Sequence, residues 1–242
     1  PVGDASYDAL TAKLERRYAN GLIILSAYTW SHAIDNAVEN LNTVAGEGIQ
    51  NNFDLAAERG NSVFDIRHYF VTSGAYDLPF GQGRRFLNHA GWVNQALGGW
   101  QLAGIVTLHS GPPFTPYLST DIANTGTTNR PNRIGSGMLP PGQRTIQHWF
   151  NVADFAIPAN YTFGNSGRNI LTAPGTRNID LKIGKDFPLV EKTQLQFRSE
   201  FFNAFNTPAF GPPDGEVDLP QGPTITSAGP AREIQLALKL VF

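Results

Sequence analysis

From Arg232 to Phe242 the chain alternates without a break. Ile234, Leu236, Leu238, Leu240 and Phe242 take every second position, and Glu233, Gln235, Ala237, Lys239 and Val241 lie between them. Side chains of a strand point to opposite faces with period two, so this segment is predicted to be a strand with one wholly apolar face and one that meets water. Two arrangements accept such a strand. A second sheet covers the apolar face in a sandwich, or lipid takes it while a watery lumen takes the other.

Composition narrows the choice. Charged residues make up 16% of the 242 positions, below the roughly 25% of ordinary soluble domains. Aromatics reach 11%, and 25 Gly with 17 Pro point to many turns. No run approaches the ~18 apolar residues of a membrane-spanning helix. Strands of a membrane barrel hide half their residues from a hydropathy window, so they remain open. The net charge of −2 gives no basic stripe for nucleic acid. Cysteine is absent, which removes disulfides, thiolate metal sites and cysteine nucleophiles. The chain starts at Pro1 without a secretion-signal pattern and is read as the C-terminal piece of something longer.

Seven segments read as strands, at about 7–17, 22–34, 68–78, 100–110, 178–187, 193–204 and 232–242. In the first, Leu10, Ala12 and Leu14 oppose Thr11, Lys13 and Glu15, and Ala19-Asn20-Gly21 makes a tight reversal into the second. The second carries Leu22, Ile24, Tyr28 and Trp30 on one face, but Ile23 and Leu25 also put apolar bulk on the other. Gly74 and Gly104 interrupt the third and fourth. In the fifth and sixth, Ile179, Leu181, Leu195 and Phe197 oppose Asp180, Lys182, Gln196, Arg198 and Glu200. Lys185 breaks the apolar face near its end, where a long side chain can snorkel to the interface.

Connections after strands one and five are tight, whereas those after two, four and six run to roughly 25–65 residues and would be anomalous in a compact soluble domain. Short periplasmic turns and long extracellular loops are the rule in outer-membrane barrels. Pro79 to Gly99 is long for a periplasmic turn, and Trp92 to Leu97 within it is expected to form a helical turn. The predicted fold is therefore all-β: an antiparallel transmembrane β-barrel fragment of about seven meander strands. Bacterial single-chain barrels have even strand numbers, so the earlier strands are expected upstream of Pro1. The water-facing charges Asp180, Lys182, Arg198, Glu200 and Lys239 are read as a lumen-face ladder that fixes register.

Other chemistry is weak. His32, His68, His89, His109 and His148 lack metal-ligand spacing and are read as rim or lumen residues. Glu47, Asp54, Glu58 and Asp65 lack the register of a calcium loop. Ser31 and His32 are strand neighbours facing opposite ways, which rules against a nucleophile–base pair with Asp35 as its orienting carboxylate. Phe163 to Asn169 has no following Lys-Ser/Thr, so it is read as an ordered loop in which Arg168 bonds backbone carbonyls or a lumen carboxylate. No enzymatic activity, metal or cofactor is expected.

Several stretches in series carry a family likeness. They include Tyr28-Thr29-Trp30-Ser31, Glu58-Arg59-Gly60 with Phe64-Asp65-Ile66-Arg67-His68, Leu78-Pro79-Phe80-Gly81, and Leu97-Gly98-Gly99-Trp100-Gln101. Tyr7-Asp8-Ala9-Leu10 with Leu14-Glu15-Arg16-Arg17, Ile34-Asp35, Ser110-Gly111-Pro112-Pro113-Phe114, Phe163 to Asn169, Gln196 to Asn206 and the terminal strand itself complete the series. With these the chain resembles the C-terminal barrel of TonB-dependent outer-membrane receptors, in particular the Oar-like subgroup with a carboxypeptidase-regulatory-like N-terminal domain. The resemblance implies a bacterial outer-membrane barrel of about 22 strands with a plugged lumen, importing a large or scarce ligand. It implies that residues 1–242 are barrel, and that the plug and the region that meets TonB precede Pro1. It further implies that the last strand, through Leu236, Leu238, Leu240 and Phe242, is the signal read by the barrel-assembly machinery. Expected partners are thus outer-membrane lipid, that machinery, TonB through the upstream region and an extracellular ligand. The alternative is a soluble β-sandwich or propeller acting in carbohydrate binding or adhesion.

Overall fold

The structure, a computed structural model, describes residues 3–19, 21–36, 48–88, 91–189, 193–219 and 222–242. Asn20, Glu47 and His89, singled out above, lie outside the described residues.

Seven long strands form one antiparallel meander: β1 (Ala5–Ala19), β2 (Leu22–Asp35), β3 (His68–Asp77), β4 (Trp100–His109), β5 (Thr176–Pro188), β6 (Gln194–Phe202) and β7 (Glu233–Val241). Each pairs with its neighbours in chain order, and the path ends at β1 and β7, with no ladder joining them among the described residues. All seven coincide with the alternating segments of the sequence, including β3 and β4 despite their glycines. Gly74 and Gly104 face each other across the β3–β4 ladder. A Cβ at Gly104 would sit 3.0 Å from a Leu181 methyl, so the gap lets the larger side chain of β5 lean over it.

The register divides the sheet cleanly. Leu195, Phe197, Ser199 and Phe201 stand opposite Leu240, Leu238, Leu236 and Ile234. Leu181, Ile183 and Phe187 of β5 share their face, as do Val106 and Leu102 of β4. On β2 the same face carries Leu22, Ile24, Tyr28 and Trp30. The opposite face carries Asp180, Lys182, Gln196, Arg198, Glu200 and Lys239. Among the described residues the apolar face has no second layer: Leu236 and Leu238 are each 69% exposed. A sandwich would bury them, so the described residues do not form one.

The buried apolar cluster lies instead in the long connections. Phe114, Phe150, Phe155, Leu171 and Ala173 pack together, with Trp149, Val152 and Val217 against them. Two short ladders, Pro113–Phe114 with Leu171–Thr172 and Asn132–Arg133 with Phe155–Ala156, stitch these loops into a cap. The loop motifs have a packing reason. A Cβ at Gly164 would fall 2.0 Å from the Arg130 carbonyl oxygen, so only glycine permits the approach. At the other end of the sheet, the β3–β4 turn holds the expected short helix, α1 (Trp92–Leu97).

Candidate functional site: the polar face and its loop cap

The two faces of the sheet pose different chemical questions. On the apolar face, aromatics gather at both ends. Tyr28, Trp30 and Phe70 lie toward the long loops, with the Tyr28 hydroxyl 2.8 Å from His68 Nδ1 and the two rings stacked. Tyr76, Trp100, Phe187 and Phe197 lie toward the short turns. Between them are Ile24, Val106, Ile179, Leu181 and Ile183. From Trp100 to Leu108, which is level with Tyr28 and Phe70, is about 27 Å along β4. A tilt of ~40° reduces this to about 21 Å, close to the ~25 Å apolar band between the aromatic girdles of a membrane barrel.

The polar face is less of a ladder than its sequence suggests. Lys182 stands opposite Glu200, but the ion pair formed among the five expected charges is Arg198 Nη1 with Glu200 Oε1, at 3.7 Å along one strand. Register is the reason: Arg198 faces Gly184 and Ala237, and Lys239 faces Gln196, so neither cation meets a carboxylate across the sheet. Asp180 is spent on local order, accepting from Asn178 Nδ2 at 3.0 Å and from the Asn203 backbone N–H at 2.8 Å. Beside these charges the face turns apolar. Ile23, Leu25, Ile105 and Phe202, with Lys182 and Glu200 at the rim, line an open cavity of about 400 Å³. Sequence alone signalled it only through the blurred alternation of Ile23 and Leu25.

The cap closes over the long-loop end through buried charges. Arg168 donates from Nε to the Glu58 carbonyl at 3.1 Å, and from Nη2 to the Asp35 carbonyl at 2.8 Å and to the Asp35 carboxylate. Both expected kinds of partner are thus used, since Asp35 ends β2 on the polar face. Arg130 grips Glu58 with two bonds, Nη2 to Oε1 at 2.8 Å and Nη1 to Oε2 at 3.1 Å. Glu58 has no exposed surface and Arg130 only 1%. Gln50 completes the group, donating its backbone N–H to Glu58 Oε1 and accepting from the Arg130 backbone N–H through Oε1. Asn169, in the left-handed conformation at φ 55°, donates to Thr115 Oγ1 from its backbone and to the Asn61 carbonyl from its side chain.

The acidic loop is accordingly committed. Glu58 pairs with Arg130, Asp65 bonds Arg67, His32 and the Ala33 N–H, and Asp54 caps a helical turn at Ala57. Ser31 donates to the Ile66 carbonyl, and the register places it on the face opposite His32. Tyr117 donates to Asp214 at 2.7 Å, and burial followed by that carboxylate raises its pKa strongly. Asp121 accepts from the N–H groups of Gly126 and Thr125 and from Asn129 Nδ2, and the Gly126 bond above all holds its carboxyl below the ordinary range.

The terminal strand contributes Leu236, Leu238 and Leu240 to the apolar face, and Phe242 beyond it is 94% exposed. Lys185 differs from expectation. Instead of snorkelling out to the interface it is buried, its Nζ donating to the Gln95 and Ala96 carbonyls and lying 5.1 Å over the Trp100 ring and 4.7 Å over the Phe187 ring.

Comparison with curated proteins finds no match to the chain. Comparison with family models matches residues 1–235 to the outer membrane beta barrel domain. An uncovered apolar face bounded by aromatics at both ends, a polar opposite face and a one-sided set of long loops are what that family requires. The chain therefore belongs to the outer membrane beta barrel domain family, and its place is the bacterial outer membrane.

Proposed function

We propose that this chain is the C-terminal part of a TonB-dependent receptor of the Oar-like kind, importing a large or scarce ligand across the outer membrane without chemical change to it. In this reading the cap presents the ligand-contacting surface. The polar face lines a guarded path, and the upstream region of the full-length protein supplies both the plug and the contact with TonB.

The observation that carries the reading is the apolar strip on the luminal face. Ile23, Leu25 and Ile105 are each more than 40% exposed there, beside Lys182 and Glu200. A lumen filled only with water has no use for such a strip, since exposed apolar surface costs ~25 cal/mol per Å². A folded plug packed against it removes that cost, and charges at its rim give a plug polar contacts to hold or release. The ordered cap supports the same reading, because a pre-formed surface binds without the entropic cost of ordering loops.

The test is electrical. The full-length protein in a planar bilayer should carry no steady current, and deleting the segment that fills the lumen should open a large, stable conductance. A steady open channel in the intact protein would overturn the plugged-receptor reading and favour a porin-like function.

A further inference from the structure

The turn between β3 and β4 lies at the same end of the sheet as the tight β1–β2 and β5–β6 hairpins. In this family short turns face the periplasm. The turn is nevertheless built rather than loose. Phe86 donates to the Pro79 carbonyl and Gly81 to the Phe86 carbonyl, both at 2.9 Å, and the Asn94 side chain accepts from the Gln82 N–H at 2.7 Å. Two side chains from the lipid-facing surface hold α1 in place. Trp100 Nε1 donates to the Ala96 carbonyl at 3.0 Å, and Lys185 Nζ donates to the same oxygen at 2.8 Å. Both residues share a face with Ile183, Phe197 and Leu238. The end of α1 is therefore seated on the lipid side of the wall, level with the periplasmic girdle.

Apart from Gln95, what α1 offers outward is apolar. Trp92 is 79% exposed and Leu97 52%, and Leu189 of the neighbouring hairpin is 55% exposed. Between α1 and β5 is an open cavity of about 660 Å³, with Phe187, Leu189 and Trp92 among its walls and Arg84 and Asp186 among its polar groups. Arg84 reaches Asp77 at 3.4 Å, and the Arg85 guanidinium lies 5.3 Å over the Phe86 ring. Apolar surface continuous with the lipid face, rimmed by cations and one carboxylate, is the pattern of an interfacial anchor.

We propose that α1 and the segment 79–88 before it form a phospholipid-binding anchor in the periplasmic leaflet. An acyl chain lies along Trp92, Phe187 and Leu189, the headgroup phosphate is held by Arg84, and an ammonium headgroup such as that of phosphatidylethanolamine meets Asp186. The occupant follows from continuity with the lipid face and from the pairing of opposite charges at the rim. The proposal depends on membership of the barrel family and not on the receptor reading.

The chain has no cysteine, so a nitroxide can be placed at Leu97→Cys in the full-length protein, with any upstream cysteines replaced, in nanodiscs of phosphatidylethanolamine and phosphatidylglycerol. The ratio of oxygen to nickel-chelate accessibility should exceed that of a label at Ser136→Cys in the cap by at least threefold. Equal ratios would place α1 in water, and shielding from both reagents would mean that protein covers it; either result overturns the proposal. Native mass spectrometry provides a measurement that needs no label. The unsubstituted protein should retain phosphatidylethanolamine at least threefold better than an Arg84→Glu/Trp92→Ser variant whose heat-modifiable migration shows a folded barrel. Equal retention by that folded variant would also overturn it.

Discussion

Removing Glu58 from beneath Arg130 should open the cap while leaving the sheet intact. The pair is fully desolvated, bidentate and 72 residues apart in sequence. Breaking a buried pair from one side costs about 3–5 kcal/mol, because the remaining charge stays buried without compensation. Arg130 is badly placed to relax, since its Nε already has no partner among the described residues. At 1.4 kcal/mol per decade, Glu58→Ala should raise the opening constant of the cap by roughly two to four decades. Hydrogen exchange in nanodiscs reads this directly: the Asn169 and Arg130 amides, bonded to Thr115 and Gln50, should exchange faster by that factor, or up to the limit of the cap's own stability. Amides of β5 and β6 should not change. The double variant Glu58→Leu/Arg130→Met should recover most of the loss, because replacing both partners with apolar groups is often near neutral. If Glu58→Ala alters cap exchange by less than threefold, or if the double variant is worse than either single one, the pair does not hold the cap.

Other expectations follow from the same geometry. Lys185→Met removes both bonds to the α1 carbonyls and should loosen the turn 79–99 by about 1.5–3 kcal/mol, seen as faster protease cleavage there with unchanged cleavage in the cap. For Asp121, whose folded pKa is depressed from 3.8, the stabilisation is complete above that unfolded value and is lost as pH falls through the folded one. The protection of the loop 121–129 against exchange, measured relative to the intrinsic amide rate at each pH, should thus be full at pH 7 and fall as pH drops below 3.8 towards the folded pKa, and Asp121→Asn should already show the reduced protection at pH 7. If Phe242 and the leucines in line with it form the assembly signal, Phe242→Leu and deletion of Phe242 should both lower the outer-membrane fraction of the full-length protein in cells. Normal assembly of Phe242→Leu would mean that bulk apolarity is enough, worth roughly 1.5–3 kcal/mol when buried.

Much of this fold is written locally. Period-two alternation is a property of consecutive residues, so the seven strands, the opposed faces of β5 to β7 and the one-sided distribution of long loops could be read from the chain without any contact being known. Even Lys185 and the pair Ile23 and Leu25 stood out as breaks in that alternation. What they do there is not local. Lys185 is buried because α1, ninety residues earlier, brings its carbonyls to it, and Ile23 lines a cavity because Ala75, Ala103 and Lys182 come level with it across four strands. The expected charge ladder became one ion pair along a single strand, because register sets Arg198 and Lys239 against Gly184, Ala237 and Gln196 rather than against carboxylates, and Glu200, though opposite Lys182, turns to Arg198. The cap lies furthest from the sequence. Glu58 with Arg130 and Arg168 with Asp35 join segments with no common periodicity, and a buried charge is placed by partners that only the folded chain assembles. The sequence by itself determined the strands and their two faces, because alternation follows from backbone geometry. Tertiary structure alone decided the cap, the luminal strip and the seat of α1, because each depends on desolvated contacts between residues that the chain keeps far apart.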